Sequence, residues 1–227
     1  MGKPLILSPD GHAQVSASVA AAEAHSAGEI VTIIAERSDS YADVALVWSA
    51  IAALLALAAL AIAPTFYLGL YEWLTGGWVN EWSARGMFSL AAAVAALKFA
   101  GMWLLQLWQP LRLLLVPGPV KSERVRARAI SCFKVGAERR THGRTGILIY
   151  LSMRERRAEI VADVAIAGKV SPEVWGEAMA AMIGEIREGH VAEGMCAAVA
   201  RVGAVLAEHF PRAGDDQNEL PDRLIEV

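Results

Sequence analysis

The pattern of hydrophobic and polar positions changes twice along the chain. Residues 8–27 begin with the helix-start signals Ser8 and Pro9 and carry apolar residues at helical spacing as far as Gly28. The next segment, "EIVTIIAE", is almost continuously apolar and rich in β-branched residues. Such a run predicts a strand that is covered on both faces, so the chain is expected to open with a helix followed by a buried strand.

The pattern then becomes that of lipid-exposed helices. The stretch 44–71 contains no charged residue, and the stretch 86–111 contains only Lys98. Each is longer than the roughly 20 apolar residues that cross a hydrocarbon core. We therefore predict membrane spans at about 44–70 and 86–110, which together form a transmembrane hairpin over 44–111.

After the spans the pattern is again that of a soluble domain. Neither flank of the hairpin holds a complete sheet, because a lone strand or a two-stranded hairpin is marginally stable. The fold class is therefore predicted as α/β, a small mixed sheet flanked by helices, formed jointly by 1–43 and 112–227, with a loose tail over 212–227. The predicted elements that follow the spans are a helix over 121–140, strands over 146–153 and 157–166, and helices over 171–189 and 191–210.

Charge is distributed unevenly around the predicted spans. The link between them contains one basic residue, Arg85, whereas 112–144 contains nine basic residues and two acidic ones. By the positive-inside rule the link lies outside and both termini lie in the cytoplasm. With 55% apolar residues and no recognisable signal peptide, the expectation is a multi-pass protein of the cytoplasmic membrane.

Lys98 is the exception within the second span. An ammonium group near the middle of a span costs about 2.5 to 3.5 kcal/mol on insertion scales. One interpretation is that Lys98 extends towards the interface or that the span is shifted in register. The other is that Lys98 pairs with another membrane protein, because the first span offers no acidic residue.

A basic stretch follows the second span. It contains Lys121, Arg124, Arg126 and Arg128, and its only aromatic residue is Phe133. Contact with anionic lipid headgroups, at about 1 kcal/mol for each basic residue near the surface, explains this composition. Nucleic acid is not expected as a partner, because single-strand binding uses interleaved aromatic residues.

Four acidic residues near the predicted strand ends are candidate ligands for a metal ion: Glu29, Asp39, Asp43 and Asp163. Calcium and magnesium prefer oxygen ligands, and a metal-dependent phosphatase needs several carboxylates that converge on the ion. Asp163 is the candidate catalytic residue. The alternative is that all four are solvated loop residues, since no two have the spacing of a known ligand motif.

A second candidate site is the segment "RRTHGRTG". Arg140, His142 and Arg144 stand beside two glycines there and could bind an anion such as phosphate. The segment lacks the Lys-Ser/Thr ending of a P-loop, and the alternative is a helix end with basic residues and a glycine. The two cysteines, Cys132 and Cys196, have no metal-ligand spacing and are expected to be reduced thiols.

Four segments outside the spans together carry a family resemblance: "AEAHSAGEIVTIIAERSDSY", "RTGILIYLSMRERRAEIVAD", "EGHVAEGMCAAVARVGAVLAEHFP" and the tail "NELPD". They resemble the TPM domain family, in the bacterial branch whose domain is interrupted by a membrane hairpin. The resemblance implies a mixed sheet between helices at the inner membrane. Many relatives have a G-x-G turn after the third strand, whereas the matching "ADVAIAGKV" retains only Gly168.

The resemblance implies two kinds of function. TPM proteins include accessory proteins of assembly and repair, and others described as acid phosphatases or calcium binders. We expect a membrane-anchored accessory module for membrane-protein assembly, repair or stress handling, without enzymatic activity or cofactor. The alternative is a membrane-tethered acid phosphatase that uses a divalent metal such as calcium or magnesium. Three or more acidic residues that converge in one cleft would favour the enzyme.

Overall fold

The computed structural model describes residues 6–77, 82–136, 145–212 and 222–227. The chain divides into two compact units. The sheet unit consists of Met1–Asp39 and Gly118–Val227, and the helical unit consists of Ser40–Pro117. In chain order the elements are α1 (Pro9–Glu23), β1 (Glu29–Ala35), α2 (Ala42–Ile62), α3 (Pro64–Thr75), α4 (Ala84–Leu105), α5 (Gln109–Leu115), α6 (Gly118–Gly136), β2 (Gly146–Ser152), β3 (Arg157–Ala162), α7 (Val164–Ala167), α8 (Pro172–Arg187), α9 (Val191–His209) and β4 (Ile225–Glu226).

The sheet has four strands in the order β3-β2-β1-β4. Strand β1 runs parallel to β2, with Glu29 opposite Gly146 at the start and Ala35 opposite Ser152 at the end. Strands β2 and β3 form an antiparallel hairpin, and β4 runs parallel to β1. The predicted mixed sheet is confirmed.

Both central strands are buried along their whole length, as their continuous apolar pattern predicted. Ile30, Ile34 and Ile149 lie on the face that is covered by α1, α8 and α9. On the opposite face, Leu148 and Tyr150 pack against the apolar side of α6. The sheet is thus enclosed between two helical layers, which is the α/β arrangement that the sequence predicts.

Two parts of the sheet unit differ from the sequence-based expectation. Strand β3 ends at Ala162, because Asp163 caps the short helix α7. The last residues, predicted within a loose tail, add β4 to the sheet: the Val227 N–H donates to the Ile34 carbonyl at 3.0 Å, and Leu224 is 5% exposed. A buried leucine and backbone pairing hold this segment in place.

In the helical unit, α2 and α4 pack against each other near the start of α2 and the end of α4. The Gln106 side chain, which is fully buried, donates from Nε2 to the carbonyls of Ala45 and Met102, each at 3.1 Å. The predicted first span is divided into α2 and α3 at Pro64, because proline lacks an N–H and clashes with the preceding turn. Among the described residues, two helices, α2 and α4, are long and apolar enough to cross a membrane.

Candidate acidic site at the start of the sheet

A pocket lies at the end of the sheet where β1 begins, and we call it the acidic pocket. Its volume is about 180 Å³. Three of its lining residues are carboxylates, and one is an arginine. The lining residues are Ala20, Glu23, Ala24, Ser26, Glu29, Arg212 and Asp222.

The acidic pocket is assembled from four elements of the sheet unit. Glu23 is the last residue of α1, and Glu29 is the first residue of β1. Arg212 follows α9, and Asp222 precedes β4. Gly28, in the turn from α1 into β1, packs closely against α9: an added Cβ would lie 2.9 Å from Leu206 Cδ1, so the Leu206 side chain would have to shift. Residues far apart in the sequence therefore meet at one end of the sheet, where β1 begins.

Glu23 has an unusual environment for a carboxyl group. It is 8% exposed, and its Oε1 accepts the Ile30 N–H at 2.7 Å. Its Oε2 is buried and has no hydrogen-bond partner among the described residues. Burial raises the pKa of Glu23 against the Ile30 hydrogen bond, and with the charge of Glu29 and the charge and carboxyl group of Asp222 it brings that pKa to about 8. This pKa favours the protonated form of Glu23 at neutral pH.

Asp163, the candidate catalytic residue, lies at the same end of the sheet. Its backbone N–H donates to the Gly146 carbonyl at 2.9 Å, and Gly146 is also the β2 residue opposite Glu29. Its Oδ1 accepts the Val164 N–H at 2.6 Å, whereas its Oδ2 is buried without a partner among the described residues. Asp163 and Glu29 therefore flank Gly146 from the two neighbouring strands.

The other two candidate metal ligands, Asp39 and Asp43, do not lie at this end of the sheet. Asp39 follows the opposite end of β1, where its carboxylate pairs with Arg124 at 3.3 Å. Asp43 belongs to the helical unit and lies in the first turn of α2. The anion candidates Arg140, His142 and Arg144 lie outside the described residues.

The basic candidates of α6 do not share one face. Lys121, Arg124 and Arg128 follow one another at spacings of three and four residues, which places them on one side of the helix. Arg126 lies elsewhere on α6, near Glu159: burial raises the pKa of Glu159, and the Arg126 charge lowers it. Three of the four predicted headgroup contacts thus form one basic face.

Sequence reasoning missed three residues of the acidic pocket: Glu23, Arg212 and Asp222. Glu23 lies within the predicted first helix, for which the sequence indicates no functional residue, and Arg212 and Asp222 lie within the segment 212–227 that is predicted to be a loose tail. A signal for Asp222 was present, because it ends the "NELPD" string on which the family resemblance partly rests.

The donor set of the acidic pocket fits a hard divalent cation. Carboxylate oxygens are the ligands that calcium and magnesium prefer, and Glu23, whose Oε2 has no hydrogen-bond partner among the described residues, is one of three carboxylates that line the pocket. Glu23, Glu29 and Asp222 are the residues that would hold the ion. A second group, Glu185, Glu188 and His190, is exposed at the end of α8, where His190 Nδ1 lies 3.5 Å from Glu185 Oε2.

Part of the chain matches a known protein family. Residues 116–205, which run from just before α6 into α9, match the model of the TPM domain. This finding confirms the resemblance seen in the sequence, and the TPM family is associated with phosphatase-like function. A search of curated protein sequences found no match.

A solved structure supports the same fold. The BA42 protein of the psychrophilic bacterium Bizionia argentinensis, determined by NMR, aligns with a TM-score of 0.57 at 15% identity. The alignment covers 100% of this chain and 99% of that one. At this identity the likeness establishes the TPM fold alone. The match to the family covers Asp163, whereas the carboxylates of the acidic pocket come from the flanking segments.

Proposed function

We propose that this chain is a membrane-anchored TPM protein that binds a divalent cation in the acidic pocket and hydrolyses phosphate esters there. The observation that supports this proposal most strongly is the buried Oε2 atom of Glu23, which has no hydrogen-bond partner among the described residues, at a pocket shared with Glu29 and Asp222. A buried polar atom is normally hydrogen-bonded, so this exception at a pocket supports a ligand site there.

The residues around the pocket have complementary roles in this proposal. The three carboxylates hold the cation, and the Arg212 guanidinium contributes a positive charge suited to a phosphate group. Asp163 lies at the same end of the sheet, and its Oδ2 has no partner in the part of the chain that the structure describes, so it is the candidate for proton transfer. A bound divalent ion supplies charge neutralisation and a bound water of lowered pKa.

Calorimetric titration of the full chain in lipid nanodiscs with calcium, magnesium and manganese tests cation binding. Glu23→Gln keeps the size of the side chain and removes the charge, so it is expected to weaken binding by about tenfold or more. Hydrolysis of p-nitrophenyl phosphate is then measured with each ion. The absence of saturable binding for all three ions would overturn the proposal.

The membrane arrangement is part of the proposal. Of the residues of α2 only Ala45 and Ser49 are buried, and none of α4 is, so the apolar surfaces of both helices need an apolar surrounding. We place both termini in the cytoplasm and the 72–85 link outside, from the charge distribution. A Thr75→Cys variant is expected to react with an impermeant thiol reagent from outside intact cells. Reaction only after the cytoplasmic side is opened would contradict this orientation.

The basic face of α6 is the proposed contact with lipid. Lys121, Arg124 and Arg128 are expected to bind anionic headgroups, and such attraction weakens as ionic strength rises. A triple Gln variant tests this in nanodiscs with and without anionic lipid, by hydrogen exchange of α6. Protection that ignores both salt and lipid charge would remove this contact from the proposal.

A second candidate function is an accessory module for membrane-protein assembly, repair or stress handling. It is favoured by Lys98, a charge within α4 for which no described residue provides a partner. A measurement of phosphate-ester hydrolysis distinguishes the two candidate functions. Cation binding without hydrolysis of any phosphate ester would favour the accessory role.

A further inference from the structure

A groove in the helical unit brings Lys98 to an apolar surface. Helices α2, α3 and α4 line it, and its volume is about 360 Å³. Besides Lys98, its polar side chains are Tyr67 and Tyr71. Ala56 and Ala59 contribute small side chains to its α2 side, which allows close approach of another backbone.

Lys98 is directed into this groove rather than towards the nearer end of its helix. Leu90, Val94 and Lys98 recur every four residues along α4, so they form one stripe on the groove side. The Cα–Cβ bond of a helical residue tilts towards the helix N-terminus, away from Leu105. At 1.5 Å per residue, Lys98 lies about 10 Å from Leu105 and about 21 Å from Ala84.

The described part of the chain does not neutralise this charge. No described residue forms an ion pair or hydrogen bond with Lys98. Of the described acidic residues in the helical unit, Glu72 accepts a hydrogen bond from Trp82 Nε1 at 2.6 Å, and Asp43 lies in the first turn of α2. A second copy brings no acidic group to this depth, because 44–71 contains none and Lys98 is the single charge in 86–111.

We propose that this groove binds a transmembrane helix of another protein, which presents an aspartate or glutamate to Lys98. The inference rests on the proposed membrane anchoring. An acidic residue within a partner helix is held at this depth by its own chain, and pairing offsets the cost of burying both charges. A lipid phosphate would have to leave the headgroup layer, so it fits the position less well. The hydroxyls of Tyr67 and Tyr71 are additional donors to a carboxylate in the same groove.

Energy transfer between the labelled full chain and a synthetic helix in phosphatidylcholine bilayers tests this proposal. The probe is a Leu/Ala transmembrane peptide with one Glu at the depth of Lys98, and its matched control carries Gln. The Glu peptide is expected to associate about tenfold more tightly than the Gln peptide, as interhelical polar contacts in lipid suggest. Lys98→Leu is expected to abolish this preference.

A charge-transposed variant, Lys98→Leu with Leu97→Lys, serves as the matched control because it keeps the composition and turns the charge away from the groove. It is expected to behave like Lys98→Leu, whereas Lys98→Arg keeps the preference. Equal association of both peptides with the wild-type chain would overturn the proposal. Lys98-dependent enrichment of spin-labelled phosphatidylglycerol without a peptide preference would identify a lipid instead, and would overturn it too.

Membrane insertion is scored separately, by flotation and protease protection. A chain that fails to insert would overturn the membrane anchoring together with this inference. A chain that inserts but shows no preference for the Glu peptide would overturn the inference alone.

Discussion

Each end of the sheet contains a buried glutamate, and the two glutamates differ in their hydrogen bonds. At the far end, where β1 and β2 finish, Glu155 is 5% exposed and both of its oxygens are bonded: Oε1 accepts the Ser38 N–H at 2.9 Å, and Oε2 accepts the Ser152 hydroxyl at 2.6 Å. At the near end, Glu23 is equally buried, yet its Oε2 has no partner among the described residues.

This difference indicates that Glu155 is a structural carboxylate, whereas Glu23 is suited to binding a ligand. The network around Glu155 continues through the Ser38 hydroxyl to Tyr150, whose hydroxyl is 3.0 Å away. A fully satisfied buried network makes the local structure rigid and has no site for a ligand. At the near end, a buried Glu23 oxygen has no partner in the described ranges and lies at a pocket, and such an oxygen costs stability unless a ligand binds.

Removal of Glu155 from the hydrogen-bond network at the far end is expected to have the largest effect on stability. Glu155→Ala leaves the part-buried Ser38 N–H and the buried Ser152 hydroxyl without this acceptor, so the free energy of unfolding of the sheet unit should fall by about 3 kcal/mol. Urea denaturation monitored by hydrogen exchange of β1 and β2 measures this. Cation affinity of the folded protein should be unchanged.

The matched control at the same end is Glu36→Ala. Its partner Arg154 is 41% exposed, and the pair lies at 2.7 Å, so the loss should be below about 1 kcal/mol. If Glu155→Ala costs no more than this control, the far network is not the structural element described above.

The next effect concerns ligand binding at the near end. Glu23→Gln is expected to lower calcium or magnesium affinity by about tenfold to a hundredfold, because one anionic ligand is lost. Glu159→Gln is a suitable control, since Glu159 lies on β3 outside the pocket. Similar losses of affinity in both variants would show that overall charge, rather than the acidic pocket, attracts the cation.

Sequence reasoning recovered the framework of the fold better than its site. The uninterrupted apolar runs of β1 and β2 dictate strands buried on both faces, and the fold class followed from them. Glu23 could not be assigned a role in this way, because a helix-end glutamate has the same local pattern whether it is solvated or buried. Its burial results from tertiary contacts with β1 and with the segment before β4.

The pH dependence of stability gives a smaller effect that also distinguishes the two ends. Folded Glu23 stays protonated up to about pH 8, whereas in the unfolded chain it ionises near 4.5. Between these values the folded state binds more protons, so the free energy of unfolding should fall as pH rises. In EDTA we expect a fall of roughly 1 to 3 kcal/mol from pH 5 to 8, reduced from the full shift by solvent near the pocket.

Glu23→Gln should remove most of that fall, and saturating cation should counteract it, since binding requires the ionised carboxyl. Urea denaturation at several pH values, with and without calcium, measures both. An equal pH dependence in the variant and in the wild-type chain would mean that Glu23 is already ionised in the folded protein.

The smallest expected effect concerns Glu226 on the edge strand β4. Its contribution to stability decreases as pH falls, which is opposite to the pH dependence expected for Glu23. Its oxygens accept the N–H groups of Ile6 at 2.7 Å and Leu7 at 2.9 Å, and its Oε1 is 2.8 Å from His12 Nε2. Burial acts to raise the pKa of Glu226, but the Ile6 and Leu7 hydrogen bonds and His12 outweigh it and lower the pKa below its ordinary 4.5.

A depressed pKa means that the stabilisation by Glu226 is present above pH 4.5 and is lost as pH falls through the folded-state value. Glu226→Gln should therefore cost about 1 kcal/mol at pH 6 and much less in strong acid. Hydrogen exchange of the segment 6–12 reports it, with the exposed Glu208→Gln as control. Because Glu23 destabilises the fold as pH rises and Glu226 does so as pH falls, the double variant should show a flatter pH profile than either single variant. A cost of Glu226→Gln that stays constant from pH 6 into strong acid would show that this carboxylate anchors the N-terminal segment without its charge.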